Sequence, residues 1–346
     1  MSLEVIKLIK MTAKILAKGM IQANVMINYE CNCRCRICDY WQEPYGTLPP
    51  MSIETAGIVT AKLRKLAPLS MCLVGGEPLL HPQLTDLAGP LARDHFLDLV
   101  TNGWYMTADL AKELFGLGLY EIAVSLDYSE PAAHDAQRGR KGVFERAVAA
   151  LEHLAGNRRR KDQRVRLISV VMDDNLDHLE KLSLMCQKLG VFHSLTLCYC
   201  GRGCGQPPAD MTEAVKWLRE IETRRPELLI LPGYLDGFLG RSQCRNGLNL
   251  MAVDPQGQLL RCIDRQERPL GSLLEEDLEV LLDRMRKAAQ SEPCDDCWTS
   301  CRGVVEPLLY GPSRLRNWLA HIRFLRADQA KGRCGWWSRA IDREPG

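Results

Sequence analysis

No stretch of this chain is apolar for long enough to span a bilayer, which takes about 20 consecutive residues. The N-terminus also lacks the continuous apolar core and small-residue cleavage site of a secretory signal. Charge of one sign is missing too. The 45 Lys and Arg are offset by 43 Asp and Glu, and a net charge of +2 argues against a general nucleic-acid role. What remains is a chain of 346 residues, 46% hydrophobic and 25% charged, an ordinary soluble composition with room for one large domain and a small one. Its unusual feature is cysteine, of which there are 15. Without an export signal, metal-bound thiolates in a reducing cytoplasm fit that number better than a disulfide scaffold.

The densest group reads Cys31–Asn32–Cys33–Arg34–Cys35–Arg36–Ile37–Cys38. Cys31, Cys35 and Cys38 form C-x3-C-x2-C. On one tight loop, thiolates at this spacing can ligate three irons of a [4Fe–4S] cube and leave the fourth open to a small molecule. An electron-transfer ferredoxin uses four thiolates per cube, so a loop one thiolate short points to chemistry at the open iron. Two alternatives stay open, disulfides and a zinc site built from C-x2-C pairs. Cys33 also offers other triplets.

From Asn24 onward, short apolar runs alternate with amphipathic stretches. Strands are expected at 25–29, 71–74, 96–100, 120–126, 165–172 and 195–199. Helices are expected near 53–66 with Ser52 as N-cap, then at 82–93, 108–115, 143–155 and 178–189. Six strand–helix repeats predict an α/β fold, a partial (β/α)6 barrel with a parallel sheet. Such sheets place their active groups at the carboxyl ends of the strands. Cys31, Gly75, Asn102, Asp127, Asn175 and Cys200 all fall there.

Gly75–Gly76–Glu77–Pro78 follows the second expected strand, and Ser125–Leu126–Asp127 closes the fourth. His134–Asp135, Arg138–Gly139, Gly142 and Phe144 come next, and Val170–Val171 through Asn175 follow the fifth strand. With the cysteine loop in front, these ordered motifs resemble the radical S-adenosylmethionine (SAM) superfamily over roughly residues 22–200. The resemblance implies a SAM-binding [4Fe–4S] cluster on Cys31, Cys35 and Cys38. It further implies cofactor contacts from Gly75, Gly76, Glu77, Pro78, Asn102, Ser125, Asp127, Arg138 and Asn175. The paired glycines would let the backbone approach the cofactor's methionine. Glu77 would take its ammonium, the strand ending at Ser125–Asp127 its ribose, and Arg138 its carboxylate.

A second cysteine group comprises Cys244, Cys262, Cys294 and Cys297, with Cys301 and Cys334 beyond. Residues 248–253 and 258–261 flank Asp254–Pro255–Gln256–Gly257 as a β-hairpin, and a helix is expected near 274–288. This resembles the SPASM auxiliary-cluster region in its shortened Twitch form, because the full pattern carries more cysteines. It implies one auxiliary [4Fe–4S] cluster on Cys244, Cys262, Cys294 and Cys297, with structural zinc as the alternative. The implied organisation is an N-terminal helix at 1–21, a core at 22–205, a linker at 206–241, an auxiliary unit at 242–305 and a helical tail at 306–346.

The chemistry implied by the resemblance is reductive cleavage of SAM to a 5′-deoxyadenosyl radical, which takes hydrogen from a substrate. An auxiliary cluster that accepts the substrate's electron would give oxidation or bond formation. A thiol that returns hydrogen, with Cys200 and Cys204 as candidates at the mouth of the sixth strand, would give epimerisation. The substrate expected is a small molecule, carbohydrate-like, aminocyclitol or lipid-like, with a peptide as the alternative. With roughly 24 residues before the first strand, a leader-binding domain is not expected there. A low-potential donor such as flavodoxin or ferredoxin would supply electrons. A non-catalytic iron–sulfur carrier or a zinc-binding interaction protein is the competing class. Finally, residues 3–20 carry Lys7, Lys10, Lys14 and Lys18 on one helix face, and residues 314–326 (RLRNWLAHIRFLR) are basic and apolar. Each predicts either a helix packed on the core or peripheral contact with a membrane surface.

Overall fold

The structure is a computed structural model. It describes residues 3–42, 44–197, 212–224, 228–229, 234–235, 244–264, 266–292, 294, 300–310 and 317–319.

After helix α1 (Leu3–Leu16), strands and helices alternate as the apolar periodicity requires. β1 (Gln22–Asn28) leads to α2 (Ile53–Arg64), and β2 (Ser70–Gly75) to α3 (Leu84–Asp94). β3 (Phe96–Thr101) leads to α4 (Ala108–Leu117), and β4 (Glu121–Ser125) to α5 (Pro131–Arg138) and α6 (Val143–Asn157). β5 (Arg164–Val171) leads to α7 (Leu176–Leu189), and β6 (Phe192–Leu197) to α8 (Thr212–Arg224) and the short β7 (Leu228–Leu229). Capping chemistry sets helix starts. Ser52 Oγ accepts from Thr55 N at 3.0 Å, and Thr107 Oγ1 accepts from Leu110 N at 3.2 Å.

Strands β1 to β7 pair in parallel in chain order, so every carboxyl end lies on one rim. This is the expected partial barrel. The sheet stays open, with β7 at one edge. Leu63, Leu69, Met71, Leu73, Leu97 and Leu99 are fully buried in the main core cluster. Beyond β1 the sheet continues into β8 (Leu250–Val253), β9 (Gln258–Leu260) and β10 (Gly271–Ser272). β8 pairs with β1 in parallel, and β8–β9 is the expected hairpin. The hairpin therefore prolongs the core's own sheet. Helix α9 (Leu278–Ser291) follows it, and α10 (Ser300–Leu309) packs against α1.

Two helices were absent from the sequence expectation. α5 carries the His134–Arg138 segment, and its signals are Pro131 at its first turn and Gly139 just past its end. α10 contains Pro307 and Gly303, which mask its periodicity.

Candidate active site

The cysteine loop leaves the end of β1 where β2 also ends, and the paired glycines make that crossing fit. A Cβ on Gly75 would stand 2.0 Å from Asn28 O, and one on Gly76 would stand 2.2 Å from Glu30 O. Gly75 also has a φ of +149°. The backbones are then joined by Gly76 N to Asn28 O (2.9 Å) and Glu77 N to Glu30 O (2.8 Å). The glycines thus make room for the chain's own backbone just before Cys31.

Glu77 is buried and held by three donors. Its Oε1 accepts from Leu79 N (3.0 Å) and Thr101 Oγ1 (2.6 Å), and its Oε2 accepts from Asn102 N (2.7 Å). Burial pushes its pKa up, and the three hydrogen bonds oppose that shift. A carboxylate has about four acceptor sites, so Oε2 keeps one for a further donor. Asn102 carries the connection to the cysteine loop. Its Nδ2 donates to Asn32 Oδ1 at 2.7 Å and lies 3.5 Å from Cys33 Sγ.

The far side of the loop rests on α5. Arg34 N donates to Arg138 O (2.9 Å) and Arg36 N to Gln137 O (3.0 Å). The buried Arg138 guanidinium bonds Asp127 Oδ2 at 2.6 Å through Nη2, and its Nη1 lies 3.8 Å from Cys35 Sγ. Asp127 is fully buried, and its Oδ1 accepts from Val170 N at 2.8 Å. Asn175, also fully buried, donates to Asp127 O and Val170 O and accepts from Met172 N. Asp135 accepts from Gly142 N (2.5 Å) and Phe144 N (3.0 Å), and His134 Nδ1 accepts from Asp127 N (3.2 Å). The His–Asp…Arg–Gly…Gly-x-Phe motif is therefore a bracket joining β4, α5, α6 and the cysteine loop.

One cavity gathers much of this. Cys31, Cys35, Cys38, Gly76, Glu77, Asn102, Ser125 and Arg138 line it together with Cys33, Ile37, Tyr40, Trp41, Val100 and Thr101. Gly75, Pro78, Asp127 and Asn175 lie outside this lining; Pro78 opens the turn 78–80 after Glu77. Thr101 and Tyr40 were missed from sequence. A strand-end Thr one residue before Asn102 was the available signal for the first.

Cys31, Cys33, Cys35 and Cys38 are free thiols. The Cys33 thiol donates toward Cys31, whose pKa is lowered by that bond, while Cys33's is raised by the same bond and by burial. This separates Cys31, the better thiolate, from Cys33. Burial raises Cys35, against the pull of Arg138, and pushes Cys38 up to about 12. Thiols so placed become thiolates when a metal supplies the missing positive charge. Cys31 Sγ accepts from the N–H two residues on (3.4 Å), and the same turn recurs at Cys244–Asn246 and Cys262–Asp264 (3.4 Å each). Around the loop, Asn32 Nδ2, Arg138 Nε and both amide atoms of Gln137 are buried without a protein partner. Among the described residues, no three His, Cys, Asp or Glu side chains converge as a single metal ion needs. The loop's four thiols all line one cavity.

In the second group, Cys244 N donates to Cys294 O at 2.8 Å. Arg261, beside Cys262, donates to Asn246 O (2.7 Å) and to Glu292 O, which ties together the loops carrying all three cysteines. Tyr40 Oη donates to Ile263 O at 3.2 Å, so a side chain of the first cavity touches the Cys262 loop. Cys200, Cys204, Cys297 and Cys334 lie outside the described residues, as does the side chain of Cys301.

Residues 25–186 match the profile of the Radical SAM superfamily. They form a radical SAM domain. Curated relatives include an AdoMet-dependent heme synthase of Methanosarcina barkeri, 31% identical over 44% of this chain and 44% of its own length. A PqqA peptide cyclase of Streptomyces rochei is 26% identical over 69% of this chain and 68% of its own. The chain therefore spans less than half of the first of these relatives and about two thirds of the second. Among solved structures, Streptococcus suis SuiB bound to S-adenosylmethionine superposes with a TM-score of 0.67, at 14% identity, over 82% of this chain and 71% of that one. AnSMEcpe with bound AdoMet gives 0.62 at 18% identity, over 77% and 82%. At these identities the structures establish the fold. Among the described residues, no helix is long and apolar enough to cross a membrane.

Proposed function

We propose that this enzyme binds S-adenosylmethionine at a [4Fe–4S] cluster held by Cys31, Cys35 and Cys38, and uses it to oxidise or epimerise a substrate carbon. The observation that carries this reading is the single cavity shared by those three thiols, Glu77, Asn102 and Ser125 at the carboxyl rim of the sheet. Cys31, Cys35 and Cys38 would hold the cluster, which with the cofactor would supply a carbon-centred radical able to take hydrogen from substrate. The chain's part is to hold and exclude. Gly75–Gly76 bring β2 against the cysteine loop. Glu77 keeps an acceptor site toward an ammonium, and Ile37, Trp41 and Val100 supply apolar lining. Asp127 and Asn175, beneath that surface, act as positioning residues for Arg138, which lines it.

A second [4Fe–4S] cluster on Cys244, Cys262, Cys294 and Cys297, within an auxiliary unit at 242–305, would take the electron in an oxidation. Its support is the backbone pairing of Cys244 with Cys294 and the Arg261 ties. A basic face beside the loop suits an acidic low-potential donor such as flavodoxin or ferredoxin. There Arg140 stacks 3.7 Å from the Trp104 ring centroid and Arg34 lies 5.1 Å from that of Trp41. The substrate is a small molecule or a peptide. The peptide reading draws on the peptide cyclase relative, which aligns over 250 residues and so reaches beyond the radical SAM domain.

The experiment is anaerobic reconstitution followed by dithionite and SAM. The reading requires 5′-deoxyadenosine and about eight irons per chain for two cubes. No 5′-deoxyadenosine from iron-loaded protein would make it an iron–sulfur carrier. About four irons, unchanged by replacing Cys294 and Cys297, would remove the auxiliary cluster.

A further inference from the structure

The strands alternate in a way that marks a lumen below the cavity. On β3, Phe96, Asp98 and Val100 are half-buried, while Leu97, Leu99 and Thr101 between them are buried. On β2 Cys72 and Val74, and on β5 Arg166, Ile168 and Val170, are likewise half-buried on one face. Val100 and Ser125 line the cavity, so this is the face turned into the partial barrel. One step down from Val100 on that face, about 6.6 Å deeper, stands Asp98. Cys72 on β2 and Glu121 on β4 are its register partners. On β5, Arg166 reaches Glu121 Oε1 with its Nη2 at 2.7 Å. Deeper still, the Arg164 guanidinium lies 5.8 Å from the Tyr120 ring centroid and 5.3 Å from that of Phe192. Phe96 meets Tyr120 edge-on at 5.4 Å and packs with the Met11 cluster of α1.

Four charged side chains inside a sheet are costly, and these four do not cancel. Asp98 and Glu121 stand directly opposite each other, an arrangement that keeps one of two carboxyls protonated. Glu121 has Arg166 as its counter-charge. Asp98 has none at hydrogen-bond distance among the described residues, and its Oδ1 is buried without a partner. Burial and then Glu121 push the Asp98 carboxyl well above the usual carboxylate range, against the pull of Arg166 and Arg164. The layer thus sets two guanidinium groups against one carboxylate, with a neutral acid beside them as a further donor.

We infer that this layer anchors the substrate in the lumen, with Arg166 and the Asp98 carboxyl donating to a carboxylate of the substrate. The sign of the surplus charge selects that group. A carboxylate completes the pairing and suits the guanidinium fork, whereas an ammonium would add to an excess already present. Held there, the substrate extends up the lumen toward the cavity lined by the cysteine loop. The inference rests on the reading of that cavity as the cofactor's site. The carboxylate belongs to a small acid or to an acidic side chain of a peptide.

Cys72, a half-buried free thiol beside Asp98, is the reporter. The reconstituted full chain is alkylated anaerobically with iodoacetamide, and the Cys72 peptide is followed by mass spectrometry. The probes are glutarate, its neutral diamide glutaramide, the diamine cadaverine, and end-blocked Gly-Glu-Gly, whose one carboxylate is a side chain. Glutarate or the peptide at about four times its dissociation constant should slow Cys72 alkylation about fivefold. The tighter of the two tells a small acid from a peptide. Arg166→Gln should weaken that protection about tenfold, and Glu121→Gln, which removes the opposing charge, should strengthen it about tenfold. Asp98→Asn, neutral like the protonated acid, should change it less than about threefold. Equal protection by glutaramide, protection by cadaverine alone, or none by either carboxylate would overturn the inference, and the parent chain gives these results even if a variant misfolds. Formation of 5′-deoxyadenosine, measured separately, reports on the cofactor reading alone.

Discussion

Asp127→Asn tests whether the Ser125–Asp127 strand end serves a ligand or the fold. Asp127 is fully buried and its two carboxylate oxygens are already engaged, one by Arg138 Nη2 at 2.6 Å and one by Val170 N at 2.8 Å. An Asn amide can accept only one of those bonds and must turn its NH2 toward the other donor. It also leaves the Arg138 guanidinium buried without its counter-charge. Breaking one side of a buried pair costs about 3–5 kcal/mol. With a urea slope of about 3 kcal/mol/M, the apo chain's unfolding midpoint should fall by about 1–1.7 M. Arg138→Met alone should also destabilise. The double variant should recover part of the loss, with a coupling of about 2 kcal/mol or more in a double-mutant cycle. Far-UV circular dichroism of the apo chain reads this without any cofactor. If D127N unfolds within about 0.5 kcal/mol of the parent, the pair is not holding the fold, and the role in binding the cofactor's ribose returns.

Gly76→Ala should displace the segment before Cys31, because its Cβ would sit 2.2 Å from Glu30 O and 2.4 Å from Tyr29 O; iron per chain after reconstitution should fall by about half if the second cluster is loaded independently. Glu77→Gln should cost about 1–3 kcal/mol, since its amide would face Asn102 N or Leu79 N with a donor, and chemical denaturation measures it. The buried His95, His134 and His193 have pKa values lowered by burial to about 4, 2 and 3. In the unfolded chain they take up protons near pH 6.5. Their stabilisation is therefore complete above that pH and is lost as pH falls toward 4. The slope is about 1.4 kcal/mol per pH unit for each histidine. A flat urea midpoint between pH 6.5 and 4 would contradict this, and His193→Asn should shallow the slope.

The sequence by itself determined the alternation of strand and helix, and with it the rim. Apolar periodicity and caps such as Ser52 are local, and parallel pairing then sends Cys31, Gly76, Asn102 and Ser125 to the same end of the sheet. The spacing of Cys31, Cys35 and Cys38 was legible for the same reason, since one loop holds all three. What a side chain faces was not legible, because that depends on residues distant in the chain. Only the fold showed that Asp127 takes the N–H of Val170 in β5, 43 residues on, and that Asn175 donates to Asp127 O, 48 residues back. Only the fold showed that Gly75–Gly76 clear a path for Asn28–Glu30. Helix α1 makes the point most plainly: its period of lysines and leucines was evident, yet the face that turned inward was chosen by the carbonyls of Ala92, His95, Leu66 and Pro68, which the fold brings together from separate turns.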